Sequence, residues 1–226
     1  MHAIEDIGLL KMDLLGLKNL TVIGNAIKLI KDRSGEDINI NSIPLNDEAT
    51  FALIQKGKNT GVFQFEGSGM TRYLTAMKAN RFEDLVAMVA LFRPGPMELI
   101  PSYIARKHGT EAIVYLHPKL ESFLKETYGI MVYQEQLLKI AQSLAGFTIG
   151  EADILRKAVG KKIKSLLDEQ ATKFISGVEN TIGDRKLGED LWKLVEPFAR
   201  YGFNKAHSVC YALICLLYTS PSPRDS

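Results

Sequence analysis

Residues 148–160 read TIGEADILRKAVG, and this stretch carries a full set of signals for one α-helix. Thr148 and Glu151 are spaced as a capping box, in which the two residues satisfy each other's backbone N–H groups at a helix start. Gly160 stands where helices commonly end, because glycine adopts the left-handed conformation without steric cost. The spacing predicts a helix over 149–159 that stops at Gly160.

Helical signals recur on both sides of this stretch. Apolar residues return every three or four positions, which is typical of amphipathic helices packed on a core. The predicted helices cover 17–33, 82–92, 98–108, 118–127, 132–145, 163–181, 187–200 and 205–216. A further helix is expected to begin after Pro44 with Asn46 as its cap. A short apolar run at 7–15 favours a β-strand, so we predict a mainly α fold with one strand at its N-terminal end.

Composition places the chain among globular proteins. It has 226 residues, of which 46% are hydrophobic and 24% charged, with a formal net charge of +2. So small a net charge does not by itself indicate a nucleic-acid-binding protein. Cys210 and Cys215 lie five residues apart in a helical run and suggest neither a disulfide framework nor a metal site. No apolar run reaches the ~18 to 20 residues needed to span a bilayer, so a soluble, cytoplasmic protein is expected.

Lys11 and Asp13 form the first candidate site. They lie two residues apart on the predicted strand, so both side chains project from one face of it. A carboxylate in an apolar strand is costly unless it is paired or binds a metal ion. Asp13 is therefore either bonded to Lys11 and nearby backbone or a metal ligand, and spacing alone leaves both open.

A basic cluster at 154–164 forms the second candidate site. It contains five cations and no acid: Arg156, Lys157, Lys161, Lys162 and Lys164. Such a cluster suits a polyphosphate or a nucleic-acid backbone. It equally suits a solvated helix face, because Asp153 lies four residues before Lys157 and can pair with it.

The third candidate site is YGFNKAH, residues 201–207. Asn204 is placed to cap the next helix, and Lys205 and His207 then fall in its first turn, where backbone N–H groups favour an anion. Cations at a helix N-terminus oppose the helix dipole, which makes sense if a phosphate binds there. The alternative is that Lys205 and His207 lie on a solvated surface without a ligand, where water offsets their unfavourable interaction with the dipole.

Two shorter motifs are weaker on their own. RPGP at 93–96 predicts a rigid turn with Arg93 pointing outward, because proline fixes the backbone there. YQEQ at 133–136 places polar residues at the start of a helix where flanking apolar residues predict core.

Six segments together resemble, in order and spacing, the catalytic core of the C-family replicative DNA polymerases, the family of the bacterial DNA polymerase III alpha subunit. They are LLKMDLLGLKNL at 9–20, GVFQFE at 61–66, ALFRPGP at 90–96, YGIMVYQEQ at 128–136, ILRKAVGKK at 154–162 and YGFNKAH at 201–207. The resemblance covers roughly residues 4–215. It implies that residues 1–18 are the end of a palm domain and 19–215 a helical fingers domain.

The resemblance also implies roles for individual residues. Asp13 matches the third of three palm aspartates that hold two Mg²⁺ ions for nucleotidyl transfer. The residues matching nucleotide contacts are Lys11, Arg156, Lys157, Asn204, Lys205 and His207. The implied partners are primer–template DNA, deoxynucleoside triphosphates and, through regions absent here, a sliding clamp and a proofreading exonuclease.

Two departures from the family pattern matter. The sequence has no Asp-x-Asp motif, in which the family places the other two metal ligands, so an internal fragment that is inactive alone is expected. Residues 216–226 look like translated adapter or vector sequence rather than the family's next helix, although a natural disordered terminus would have similar composition.

Two other classes of protein explain the sequence less completely. A non-catalytic helical module that binds nucleic acid or a partner protein would explain the cluster at 154–164, but not Asp13 beside Lys11. A free-standing nucleotide-binding enzyme is disfavoured, because the sequence has neither a P-loop nor a GxGxxG motif.

Overall fold

The structure is a computed structural model that describes residues 7–8, 16–161, 164–198 and 201–219. Within these ranges eleven α-helices form, and the mainly α prediction is confirmed. They are α1 Lys18–Ser34, α2 Glu48–Gln55, α3 Ser68–Met77, α4 Phe82–Leu91, α5 Ile100–Lys107, α6 Glu121–Leu124, α7 Gln134–Ala145, α8 Ile149–Lys161, α9 Lys164–Ile182, α10 Arg185–Phe198 and α11 Lys205–Thr219. Four short 3₁₀ turns, Ile40–Ser42, Pro96–Leu99, Pro118–Leu120 and Lys125–Thr127, lie between them.

The chain divides into two compact units, 1–43 and 44–226. The first unit contains α1, which ends where Gly35 takes a left-handed φ of 73° and donates its N–H to Lys31 O. The predicted strand falls in this unit. Its first residues, Ile7 and Gly8, form a turn, and the remainder, with Lys11 and Asp13, lies outside the described residues.

The second unit is built on two apolar clusters. The first lies among α2 to α5 and α11, and α4 is its centre because seven of its ten residues are buried. The second lies among α6 to α10 and contains Trp192 and Phe198. One segment serves both clusters: Ile130 and Val132 belong to the first and Met131 to the second. Such alternation is what an extended backbone produces, since successive side chains point to opposite sides.

Local helix signals were largely correct, with three corrections. The stretch 118–127, predicted as one helix, is a 3₁₀ turn, a four-residue α-helix and a second 3₁₀ turn. The capping box before α8 is confirmed, because Glu151 accepts from Thr148 N at 2.7 Å and Glu151 N donates to Thr148 Oγ1 at 3.3 Å. Gly160, however, does not end α8, which runs to Lys161. Asn46 is not the cap of α2. The cap is Asp47, whose carboxylate oxygens accept from Ala49 N and Thr50 N, each at 3.3 Å.

Helix α3 is absent from the sequence prediction. Gly67 caps it and Gly69 lies in its first turn, and glycine is a poor helix former. Gly69 is placed there by packing, because a Cβ atom at this position would lie 2.8 Å from the ring of Phe92. No helix in the described part of the chain has the length and apolar character needed to cross a membrane.

Candidate functional site

Two segments about seventy residues apart in sequence meet at the start of α11. Phe203 N donates to Val132 O at 3.1 Å, and Gln134 N donates to Phe203 O at 2.8 Å, which makes a parallel β-bridge between Tyr133 and Phe203. The Gln134 side chain adds a bond to Gly202 O at 3.1 Å. The segments YGIMVYQEQ and YGFNKAH are therefore joined through their backbones.

The N-terminus of α11 is capped from both sides. Asn204 Oδ1 accepts from His207 N at 2.9 Å, as predicted for a capping residue. Lys205 N donates to both carboxylate oxygens of Glu135, at 3.1 and 3.0 Å. A carboxylate near a helix N-terminus is favoured by the helix dipole. The sequence predicts free backbone N–H groups at this helix start, but Lys205 N is bound by the carboxylate of Glu135.

Lys205 is held by long-range contacts. Its Nζ lies 2.7 Å from the Glu126 carboxylate and 5.5 Å from the centre of the Tyr133 ring. The side chains of Lys205 and Glu126 are 36% and 33% exposed, so the pair borders solvent. A ligand from solution can reach this ammonium group, and an anionic ligand would compete with Glu126 for it.

A line of rings runs along the same helix. The centroid of the His207 ring lies 5.5 Å from that of Phe203 and 4.6 Å from that of Tyr211. Tyr211 in turn stacks on Phe63 of the segment GVFQFE, with 5.5 Å between centroids. His207 is exposed and the other three are partly so. Sequence reasoning missed Phe63 and Tyr211. The four-residue spacing of His207 and Tyr211 indicates one face of α11, whereas nothing in the local sequence connects Phe63 to it.

Arg93 of the segment ALFRPGP belongs to this assembly, and the prediction that it points outward was wrong. Its Nε donates to Ala90 O at 2.8 Å, its Nη2 donates to Tyr201 O, and its guanidinium lies 4.4 Å from the centre of the Phe203 ring. Partial burial lowers the pKa of Arg93 from its ordinary value. By turning inward, the Arg93 side chain donates to two carbonyl groups, Ala90 O and Tyr201 O. The RPGP sequence alone does not indicate this orientation, because Tyr201 is distant in sequence.

Gln136 explains the polar start of α7. Its Oε1 accepts from Val132 N at 2.8 Å and Tyr133 N at 2.9 Å, and its Nε2 donates to Phe123 O at 3.2 Å and Thr127 Oγ1 at 2.8 Å. The side chain is buried. The YQEQ motif therefore fixes the extended segment that receives Phe203.

Arg156 and Lys157 lie on α8, and their described ion pairs are local. Both bind Asp153, at 2.7 and 2.8 Å, and these hydrogen bonds from Lys157 and Arg156 lower the pKa of that carboxyl. The resemblance implies that Arg156, Lys157, Lys205 and His207 contact the same nucleotide. Among the described residues no hydrogen bond or ion pair joins the first two to Lys205 or His207, so this stays a prediction. Lys162, and the side chains of Lys161 and Lys164, lie outside what the structure describes.

Metal-binding residues were predicted at Asp13, which is outside the described ranges. Within those ranges no group of three or more His, Cys, Asp or Glu side chains could hold a metal ion. The described part of the chain thus supplies Lys205 with its two carboxylate partners and the aromatic rings around α11, and no group suited to a metal ion.

A sequence profile described as the finger domain of the bacterial DNA polymerase III alpha subunit matches residues 19–181. DNA polymerase III subunit alpha of Halalkalibacterium halodurans is 48% identical over 214 residues, and that of Aquifex aeolicus is 51% identical over 217. The protein of the same name from Bacillus subtilis is 46% identical over 214 residues. Each alignment covers 95% of this chain and 19% of the relative, so the chain spans about a fifth of the relatives' length. The profile match over most of the sequence shows that the chain belongs to the bacterial DNA polymerase III alpha subunit family and contains its finger domain.

Proposed function

We propose that this chain forms part of the fingers of a replicative DNA-directed DNA polymerase that adds deoxynucleotides to a primer 3′ end. The observation that supports it best is the meeting of four family segments at the start of α11. GVFQFE contributes Phe63, ALFRPGP contributes Arg93, YGIMVYQEQ contributes Glu135, and YGFNKAH contributes Lys205 and His207. They place Lys205 and His207 at the border with solvent, where Lys205 is held by the carboxylates of Glu126 and Glu135, so an anionic substrate would bind Lys205 by replacing Glu126.

The proposed substrate contact is electrostatic. The triphosphate of an incoming nucleotide would bind Lys205 and His207, with Asn204 holding the helix turn that carries them. A triphosphate carries more negative charge than the single carboxylate of Glu126, so it would displace Glu126 from the ammonium group. Fixed cations of this kind offset the charge that develops in phosphoryl transfer. Lys11, Arg156 and Lys157 are proposed as further nucleotide contacts.

The metal chemistry is proposed to depend on Asp13. Carboxylate oxygens are ligands that Mg²⁺ prefers, and two Mg²⁺ ions would supply activation of the primer hydroxyl and charge stabilisation. Because the sequence contains no Asp-x-Asp motif, we expect no primer extension by the 226-residue chain alone. Primer–template DNA, a sliding clamp and a proofreading exonuclease are its proposed partners, and the cytoplasm its proposed location.

Steady-state kinetics of a complete polymerase carrying these residues tests the proposal. Lys205→Ala should weaken nucleotide use by roughly ten- to a hundredfold, the value of one charge-assisted contact of ~1.5 to 3 kcal/mol. Arg156→Ala should act in the same direction, and primer–template affinity should change little. Lys193→Ala is the control, since Lys193 is an exposed cation paired with Asp190 on α10. Unchanged nucleotide dependence together with a collapse of DNA affinity would overturn the nucleotide assignment.

A further inference from the structure

A group of cations lines a pocket where the end of α3, the start of α4 and the end of α5 meet. The pocket has a volume of about 360 Å³ and is lined by Lys78, Asn80, Arg81, Lys107, His108 and Tyr128. This volume falls at the small end of the range for ligand sites, ~300 to 1,000 Å³. The lining carries three permanent positive charges and no carboxylate.

One buried carboxylate beneath the pocket compensates part of this charge. Asp84 is fully buried and binds Lys107 Nζ at 2.6 Å and Arg81 Nη2 at 3.3 Å. It also accepts from the backbone N–H groups of Asn80 and Arg81, at 3.2 and 3.3 Å. Asp84 therefore locks α4 to α5, but one negative charge faces two cations.

Lys78 and Arg81 each have a donor group that is not used in the contacts with Asp84. Lys78 is exposed, and within the described ranges no ion pair involves it. Arg81 Nε is buried without a hydrogen-bond partner, although the guanidinium is held above the Tyr128 ring at 5.1 Å. A buried donor without a partner is costly, and a bound anion would remove that cost.

Two helix ends form part of the pocket wall. Lys78 ends α3 and Tyr128 ends the 3₁₀ turn Lys125–Thr127, and both take the left-handed conformation, with φ of 48° and 53°. A left-handed residue commonly ends a helix, so these two residues fix the positions at which the chain turns beside the pocket.

We propose that this pocket binds a phosphate group of a nucleic-acid strand, through residues other than those proposed to bind the nucleotide. Lys78 supplies the mobile charge, while Arg81 and Lys107 are pre-positioned by Asp84. The choice of a polynucleotide as the source of the phosphate rests on the proposed function. The pocket contacts the backbone only, so it is insensitive to base sequence.

Fluorescence anisotropy of a labelled DNA duplex with the 226-residue chain tests the proposal. Lys78→Gln should lower affinity by about two- to fivefold, the range for an exposed charge pair. It should also reduce the slope of log affinity against log salt by ~0.9, the value for one phosphate contact. Lys78→Arg should retain both. Lys139→Gln, at an exposed lysine on α7, is the matched control.

Two outcomes would overturn the proposal. The first is an affinity and salt slope for Lys78→Gln that equal those of Lys139→Gln, with both variants folded by circular dichroism. The second combines two results. Inorganic phosphate added at constant ionic strength shifts the His108 ring resonances, and Lys78→Gln leaves DNA affinity unchanged. That result would assign the pocket to a free phosphate. Failure of the nucleotide proposal is read separately, from the Lys205→Ala kinetics.

Discussion

The two helices that carry the predicted nucleotide contacts are stabilised in different ways. On α8, Arg156 and Lys157 bind Asp153 within one helical turn, and the capping box closes over three residues. At the start of α11, Lys205 binds Glu126 and Glu135, which lie 79 and 70 residues away in sequence. The α8 contacts can form in an isolated helix, whereas the α11 contacts exist only when the second unit has folded.

The cations of α8 and α11 differ in how firmly they are positioned. Arg156 and Lys157 pair with Asp153 at the surface of α8, and such pairs contribute little free energy, so either cation can leave Asp153 for a ligand at small cost. Lys205 is instead confined between Glu126 and the Tyr133 ring, so its position is set before any ligand arrives. Preorganised charge is the more effective kind in phosphoryl transfer, because little reorganisation is needed when the reaction occurs.

Gln136→Leu should have the largest effect on the junction between the two segments at the start of α11. Gln136 is buried and accepts from two backbone N–H groups of the segment that receives Phe203. Leucine would leave both unsatisfied, at ~1 to 3 kcal/mol each, so the free energy of unfolding should fall by about 2 to 6 kcal/mol. Urea denaturation followed by fluorescence of Trp192, the single tryptophan, measures it.

Gln142→Leu is the control for this substitution. Gln142 lies on the same helix and is half-buried, so its replacement should change the free energy of unfolding by much less. Equal losses for the two variants would show that the bonds from Val132 N and Tyr133 N do not hold the α11 junction.

The sequence predicts α8 well and the α11 site poorly for the same physical reason. Every determinant of the α8 start lies within four residues, so spacing alone identifies the Thr148 and Glu151 box. Helix α3 was missed because Gly69 is selected by the Phe92 ring, a contact that helix propensity does not contain. Arg93 was given the wrong orientation because its acceptor, Tyr201 O, lies 108 residues away.

In the candidate site too, contacts between residues close in sequence were predicted and those between distant residues were not. Asn204 was recognised as a cap, since its acceptor role depends only on residues 204–207. Glu126 and Glu135 were not identified as partners of Lys205, because nothing in their local sequence connects them to it. For Lys11 and Asp13, the resemblance remains the source of the prediction.

Alanine substitutions at two glycines, one before α11 and one in α8, should change stability in opposite directions. A Cβ at Gly202 would lie 2.6 Å from Cζ of Phe198, whose ring is fully buried, so Gly202→Ala should lower the free energy of unfolding by ~1 to 3 kcal/mol. Gly150, in the first turn of α8, has no atom within 4 Å of such a Cβ. Gly150→Ala should raise stability by at most ~1 kcal/mol through helix propensity. Thermal unfolding measures the stability of both variants. A loss of stability in both would contradict the claim that close packing requires glycine at position 202 and not at position 150.

The smallest expected effect concerns the pH dependence of α8. Hydrogen bonds from Lys173 Nζ, Thr148 N and Thr148 Oγ1 lower the pKa of Glu151 from its ordinary 4.5 to about 2. Because the folded-state pKa is the lower one, ionised Glu151 stabilises the fold above pH about 4.5, and this contribution is lost as the pH falls to about 2. The difference in stability between the wild-type chain and Glu151→Gln should therefore be constant near neutral pH and shrink across that window.

A carboxyl titration by NMR checks the cause directly. Lys173→Gln removes the largest contribution, so the pKa of Glu151 should move part of the way back toward its ordinary value, while the Thr148 bonds keep it depressed. High salt should weaken the Lys173 contribution more than the Thr148 one, because charges on exposed side chains are screened and a backbone hydrogen bond within a cap is much less so. A Glu151 pKa near 4.5 in the wild-type chain would mean that the capping box frays in solution. In that case α8 would depend on tertiary packing as much as α11 does, and the contrast between the two helices would disappear.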